Sequence, residues 1–371
     1  NKDGFIEEVA SNVPRLDYSD GGCPSLLLEP TRSNLITYSE AFDETYWGKS
    51  RVTVTQNNVV SPDGTLNADK LIETSDTGLH AISSNTTVTS GVSHTFSVFI
   101  KKGSSSFVQF LFGTSNVTGN PYVNFDVNQG IYQNNGVTSA NIENYGNGWY
   151  RCSATYTTST TLIGNYISLI QSISDSRASS FTGNVNNNIY IYGAQLEQGS
   201  YATSYIPTSG QSGGVTRSGE SSSQTVPSGI IGQTEGVLYA EISALNNDSD
   251  FAPICLTSGA TSNRILIYFG DTRIRILCQL NNSVFFSFDY TVSEVTNSHK
   301  IAVKYKSGES ALWVDGISVA GGTTTTSGTS QPLNILRLGN STGSLDFLGK
   351  TKDVRVYNTA LTDAELQALT S

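Results

Sequence analysis

The run Ile189-Tyr-Ile-Tyr-Gly-Ala-Gln-Leu-Glu-Gln-Gly-Ser-Tyr-Ala-Thr-Ser-Tyr-Ile-Pro207 constrains this chain more than any other stretch. Its first part alternates β-branched and aromatic side chains, which fits a pleated strand with one face buried. It breaks at Gly199, extends again and stops at Pro207. Short runs of the same kind precede it at 51–55, 70–73, 94–101, 107–112, 122–126, 149–156 and 166–170. In His94-Thr-Phe-Ser-Val-Phe-Ile100 a period of two puts Phe96 and Val98 on one face and Phe99 on the other. A second series runs through 264–269, 273–280, 284–290, 300–305, 310–314, 334–338 and 353–357. Strands at this spacing predict an all-β fold: two antiparallel β-sandwich (jelly-roll) domains in series behind an extended N-terminal segment.

Composition supports that reading. Charged residues make up 14% of the chain, against roughly 25% in an average domain. Ser, Thr, Asn and Gly fill the difference, and these residues favour turns over helices. Residues 1–45, punctuated by Pro14, Gly21-Gly22, Pro24 and Pro30, read as an extended lead-in. Residues 46–208 form the first sandwich and 233–371 the second. Between them, 209–232 is rich in Gly, Ser and Thr and reads as a flexible linker, or as a strap along a neighbouring chain. One helix is expected near the C-terminus. Thr362 caps it, Glu365 completes a capping box, and Leu361 and Leu366 sit where a hydrophobic staple would.

The formal net charge is −10, with no basic cluster. A nucleic-acid partner is therefore not expected, because phosphate binding requires a Lys/Arg face. No stretch is long enough to span a bilayer, so membrane insertion is not expected either. The cysteines are Cys23, Cys152, Cys255 and Cys278, and none sits at metal-site spacing. Cys152 and Cys278 fall in apolar strands and read as buried thiols. The chain has no methionine and starts Asn1-Lys2-Asp3-Gly4, which reads as a fragment or processed part of a longer polypeptide.

The residues offer no catalytic constellation. The nearest paired carboxylates, Glu235 and Glu241, are six apart and share a strand face, where solvated side chains are the alternative. Histidines 80, 94 and 299 are isolated, and no nucleophile elbow or phosphate loop appears. Sugar binding needs aromatic faces for stacking and amides or carboxylates for hydroxyl groups. Tyr46, Trp47, Tyr122, Tyr190 and Tyr192 are the candidates, with core packing the alternative for each. Trp149 and Trp313 lie in apolar strands and are read as core. Asn246-Asn-Asp248-Ser-Asp250 offers Asp248 and Asp250 to a structural Ca2+, though it lacks the Gly and bidentate Glu of an EF-hand loop; a solvated loop is the alternative.

Several motifs resemble known families. Ser25-Leu-Leu-Leu-Glu-Pro, the turn Pro62-Asp63-Gly64-Thr65, Ala68-Asp69-Lys70, Gly146-Asn-Gly-Trp149 and the closing 189–207 run are similar to carbohydrate-binding-module-like jelly rolls of bacteriophage tail and virion appendage proteins. Lys300-Ile-Ala-Val-Lys-Tyr, Ala311-Leu-Trp313-Val-Asp315-Gly316 and the closing Arg355-Val-Tyr357 and Leu361-Thr-Asp-Ala-Glu-Leu366 resemble a concanavalin-like (laminin-G-like) lectin sandwich. The resemblance implies a non-enzymatic tail fibre or spike protein on the virion surface. It would bind host cell-surface polysaccharide, contact other virion proteins and form a homo-oligomer, with a trimer the usual symmetry of such fibres. Two alternatives share these folds: a purely structural decoration or connector, and an accessory part of a polysaccharide-degrading enzyme.

Overall fold

The computed structural model describes residues 1–371 except 20, 114–116, 248–251, 327 and 330. The chain divides into two compact units, Asn1–Glu8 with Thr31–Ser218 and Val9–Pro30 with Gly219–Ser371. Both are built from antiparallel sheets, and among the described residues the one α-helix is Asp363–Thr370. The all-β expectation therefore holds.

The first unit is a sandwich of two six-stranded sheets. The front sheet runs Ile131–Asn135, Tyr122–Asp126, Phe107–Phe112, Leu162–Leu169, His80–Thr87, Gly48–Ser50. The back sheet runs Ser139–Asn144, Trp149–Thr157, Ser93–Lys102, Asn188–Gln198, Leu66–Glu73, Val52–Val60. Alternation sorts the side chains. Phe96 and Val98 enter the core between the sheets, where Phe96 and Phe125 flank Phe110 with ring centroids 5.1 and 4.9 Å away. Phe99 points the other way, into a separate apolar cluster on the outer side of the back sheet. Burying each such ring contributes about 1.5–3 kcal/mol.

The strand Asn188–Gln198 needs a correction of parity to do this. Ile189 and Ile191 face the core, and so do Ala194 and Leu196. A bulge between Tyr192 and Gln195 absorbs the extra residue. Gly193 sits in it at φ +61°, where a Cβ would lie 2.9 Å from the Phe99 ring.

The second unit pairs a seven-stranded sheet with a six-stranded one. The seven-stranded sheet is Leu16–Asp17, Ser25–Leu28, Gly349–Tyr357, Glu235–Ala244, His299–Lys306, Ser310–Val314, Ile317–Gly322. The six-stranded sheet is Ser222–Thr225, Ile335–Leu338, Ala252–Thr257, Arg264–Gly270, Arg273–Leu280, Ser283–Thr291. The helix carries the expected capping box and seats Leu366 against Val237, Tyr239 and Trp313. Buried Lys304 ties it down, with Nζ donating to Glu309 at 2.7 Å and to Asp363 at 3.2 Å.

Two expected connecting segments are instead strand-paired. The lead-in is split: residues 1–8 and 31–45 belong to the first unit, while 9–30 belong to the second. Ser25–Leu28, expected to enter the first sandwich, pairs with Gly349–Tyr357, because Leu28 is buried in the core of the second unit and Leu26 packs on it. Arg15 then bridges Glu29 and Glu220. The 209–232 linker is paired as well. Val215–Arg217 lies beside Arg32–Asn34, and Ser222–Thr225 beside Ile335–Leu338. Ladder hydrogen bonds at a sheet edge use only backbone, so a Ser/Thr-rich run can fill an edge that hydrophobicity would not reveal.

Candidate functional site

Four of the five aromatic candidates pack inward. Trp47 is 1% exposed. Its indole donates to the Tyr38 carbonyl at 2.9 Å, and its ring lies 4.9 Å from Phe42. Tyr46 stands edge-on to Trp47 and packs on the same core, with its hydroxyl 3.3 Å from Thr86 Oγ1. Trp47 therefore has no free face for a sugar. Tyr192 is 2% exposed. Its hydroxyl lies 3.0 Å from both Glu40 and Asp63 carboxylate oxygens, and half-buried Tyr190 packs beside it. Burial first, and then those carboxylates, push the Tyr192 phenol far above its ordinary range. Asp63 is driven the other way. Burial raises its pKa, but hydrogen bonds from Ser61, Thr65 and Asn67 outweigh that and hold it at about 2. Ile6, Tyr145 and Tyr205 cover this outer side of the back sheet, which is why its tyrosines became core.

Tyr122 has a different setting. It lies opposite Leu111, which on its other side lies opposite Tyr166. Directly opposed residues of an antiparallel ladder share a face. Phe110 and Phe112 point into the core, so the Tyr122–Leu111–Tyr166 row faces outward from the front sheet. Both tyrosines are half-buried and Leu111 is closed over between them. Two strand spacings separate the tyrosines by about 10 Å. Asn135 continues the row beyond Tyr122, and Ser83 continues it beyond Tyr166. Exposed Asn85 borders Tyr166 across Gly164, where a Cβ would meet the Tyr166 ring at 3.1 Å and Asn85 Oδ1 at 3.3 Å.

A loop walls one side of this row. Asn124, buried on the same face, donates to the Ile173 and Asp175 carbonyls at 2.8 and 2.7 Å. Gln109 donates to Asn124 and to the Ser176 carbonyl, and accepts from Ala178 N–H at 2.8 Å. Arg177 reaches from this loop to donate Nη2 to the Phe112 carbonyl at 2.6 Å. Burial lowers its pKa, and the Tyr166 hydroxyl is its one electrostatic neighbour of note. The site is thus an aromatic floor with amide and hydroxyl groups at its rim and one guanidinium on its wall. That set can stack a sugar ring and bond its hydroxyls. Tyr166 and Arg177 were missed in the sequence. Tyr166 had a signal, an aromatic at the polar parity of Ile163-x-x-x-Ile167-x-Leu169.

The second unit was read for carboxylate pairs and Ca2+ ligands. Glu235 and Glu241 lie on one strand, six residues apart. That is about 20 Å, against about 5–9.5 Å in glycosidases. Glu241 meets Lys352 at 3.3 Å and Glu235 meets Lys306 at 4.0 Å. The pair cannot span a glycosidic bond. Asp248 and Asp250 lie outside the described residues. Among the described residues no three His, Cys, Asp or Glu side chains gather as a metal site. Cys152, Cys255 and Cys278 are buried free thiols and Cys23 is exposed.

The second unit also carries the family signal. Residues 218–367 match Laminin_G_3, the concanavalin A-like lectin/glucanases superfamily. This lectin-like domain covers the segment whose closing strand and capped helix suggested that resemblance. No curated protein matches the chain. Among solved structures, the sialidase module CBM40 of Ruminococcus gnavus, bound to alpha2,3 sialyllactose, is 15% identical with a TM-score of 0.33, covering 38% of this chain and 84% of that one. A heptameric SAP-like pentraxin from Limulus polyphemus is 16% identical with a TM-score of 0.32, covering 40% of this chain and 73% of that one. The Botulinum neurotoxin serotype D binding domain is 12% identical with a TM-score of 0.33, covering 39% of this chain and 38% of that one.

Proposed function

We propose that the protein is a non-catalytic glycan-binding protein whose first unit takes sugar on the outward Tyr122–Leu111–Tyr166 row. The observation that carries this is the row itself: two tyrosines flanking a leucine on the solvent side of a sheet. Sugar C–H faces stack on the tyrosine rings, and Asn85, Asn135 and Ser83 serve the hydroxyl groups. The lectin-like match of residues 218–367 supports the same class of ligand. The setting is a tail-fibre or spike-type appendage on a phage virion, as the sequence resemblance implies. There, an oligomer would combine weak sites into useful avidity on a host polysaccharide.

The test is titration of the protein with a panel of bacterial surface polysaccharides while polymer length is followed by size-exclusion chromatography. The expected result is saturable binding with the polymer intact, weakened several-fold in Tyr166→Ala, since a stacked aromatic contact is worth roughly 0.5–1.5 kcal/mol beyond its buried area. Shortening of any polymer would overturn the non-catalytic assignment. Undiminished binding in both Tyr122→Ala and Tyr166→Ala would remove the site from this face. A monomer by sedimentation would remove the avidity argument.

A further inference from the structure

We infer that the saccharide taken by the front sheet is anionic, and that Arg177 receives its carboxylate or sulfate group; this rests on the glycan-binding reading above. The first ground is the state of the guanidinium. Arg15, Arg32, Arg275 and Arg355 each meet a carboxylate, and buried Arg151 donates instead to both the Thr203 carbonyl and Ser97 Oγ. Arg177 meets none among the described residues: its one hydrogen bond goes from Nη2 to the Phe112 carbonyl, and its buried Nε has no partner. A half-buried cation without an anion is a poor arrangement for stability alone, because desolvation is uncompensated. The donor left for an oxyanion is Nη1, which has no partner among the described residues and is not sealed from solvent.

The second ground is preorganisation. The loop bearing Arg177 is held at the neighbouring residues on both sides. Gln109 bonds the Ser176 carbonyl and the Ala178 N–H. Ala178 sits at φ +56°, a left-handed conformation that an alanine rarely adopts, and the Gln109 amide fixes it there. Asn124 anchors the start of the same loop. Holding the side chain's base this firmly reduces the ordering needed on binding.

The third ground is position. Arg177 donates to the Phe112 carbonyl, and Phe112 lies opposite Asn165, the chain neighbour of Tyr166, so a ring stacked on Tyr166 brings its substituents near the guanidinium. In a chain of net charge −10, attraction of an acidic polymer cannot come from the overall field and has to be local.

The experiment compares polygalacturonate, alginate and hyaluronate with their carboxyl-reduced, neutral counterparts, by titration against the wild type, Arg177→Gln, Arg177→Lys and Tyr166→Ala. The inference expects at least one acidic polymer to bind at least about 10-fold tighter than its reduced form. Arg177→Gln should abolish that preference. Arg177→Lys keeps a cation at that place; it should retain a several-fold preference for the acidic form, which keeps the test decisive if Arg177→Gln folds poorly. Equal binding of acidic and reduced polymers, weakened in Tyr166→Ala but retained in Arg177→Gln, overturns the anionic ligand and leaves the glycan face standing. Binding of no polymer in either form by folded wild type overturns both.

Discussion

The outward sides of the two sheets in the first unit start from the same material and end differently. On the back sheet Tyr190 and Tyr192 alternate along one strand; on the front sheet Tyr122 and Tyr166 sit on two strands, either side of Leu111. On the back sheet, Tyr192 joins Phe99 and Trp149 under Ile6 and Tyr205, an apolar layer that closes over it and leaves half-buried Tyr190 at its border. On the front sheet, what crosses the face is a loop held by amides, Asn124 and Gln109, and it leaves Tyr122 and Tyr166 half open. An apolar cover turns an aromatic face into core. A polar cover, bonded at its backbone, occupies part of the face and leaves the rest as a walled groove.

The sharpest way to break this contrast is to truncate one aromatic on each side. Trp149 is 1% exposed and its indole donates to the Val60 carbonyl at 3.0 Å. Trp149→Ala should destabilise the first unit by about 3–5 kcal/mol. Tyr166→Ala should change stability by less than about 1 kcal/mol while weakening sugar binding. Chemical denaturation of both variants reads the difference. Equal losses would mean that the front face is as closed as the back one.

The back sheet also carries a buried carboxylate on the face it turns to the core, where Asp69 lies opposite Ile191. Burial, only partly offset by hydrogen bonds from the Asn57 and Phe42 N–H groups, raises Asp69 to about 6. Its unfolded value is near 3.8. Between those values the folded protein holds a proton that the unfolded chain has released. The stabilising contribution is therefore present below pH 4 and lost as the pH rises through 6. Relative to Asp69→Asn, wild type should lose up to about 3 kcal/mol across that window. Denaturation midpoints measured every half unit from pH 4 to 7 check the sign; a gain over the same range would refute it.

Much of this architecture was legible because alternation is local. Phe107–Phe112 and Tyr122–Asp126 appear as read, and the Thr362–Glu365 box caps the helix. Burial of Trp149 followed from its apolar strand. The site was less legible, for physical reasons. Tyr166 and Tyr192 both lie on outward strand faces, and only distant chain decides which one is covered. The bulge at Gly193 reverses the parity of its strand partway. Arg177 gains its place from amides 53 and more residues away in sequence, Asn124 and Gln109, which no periodicity reports. The Ser/Thr-rich 222–225 run pairs through its backbone, to which composition is blind.

A smaller loss than those of Trp149→Ala and Asp69 is the most direct test of how the front face stays open. Asn124 serves three partners: its amide donates to the Ile173 and Asp175 carbonyls, and its carbonyl accepts from Gln109 at 2.7 Å. In Asn124→Ala those groups lose their partner on the sheet, at a cost of about 2 kcal/mol if water reaches some of them. That loss belongs to the loop. Amide exchange should quicken across 171–180 while the Phe107–Phe112 and Leu162–Leu169 ladders keep their protection. Arg177 would lose its fixed base, so binding of an acidic polymer should weaken several-fold with Tyr122 and Tyr166 untouched. Should exchange instead quicken through both ladders, the loop is a part of the core, and the two sides of the sandwich are closed by the same means.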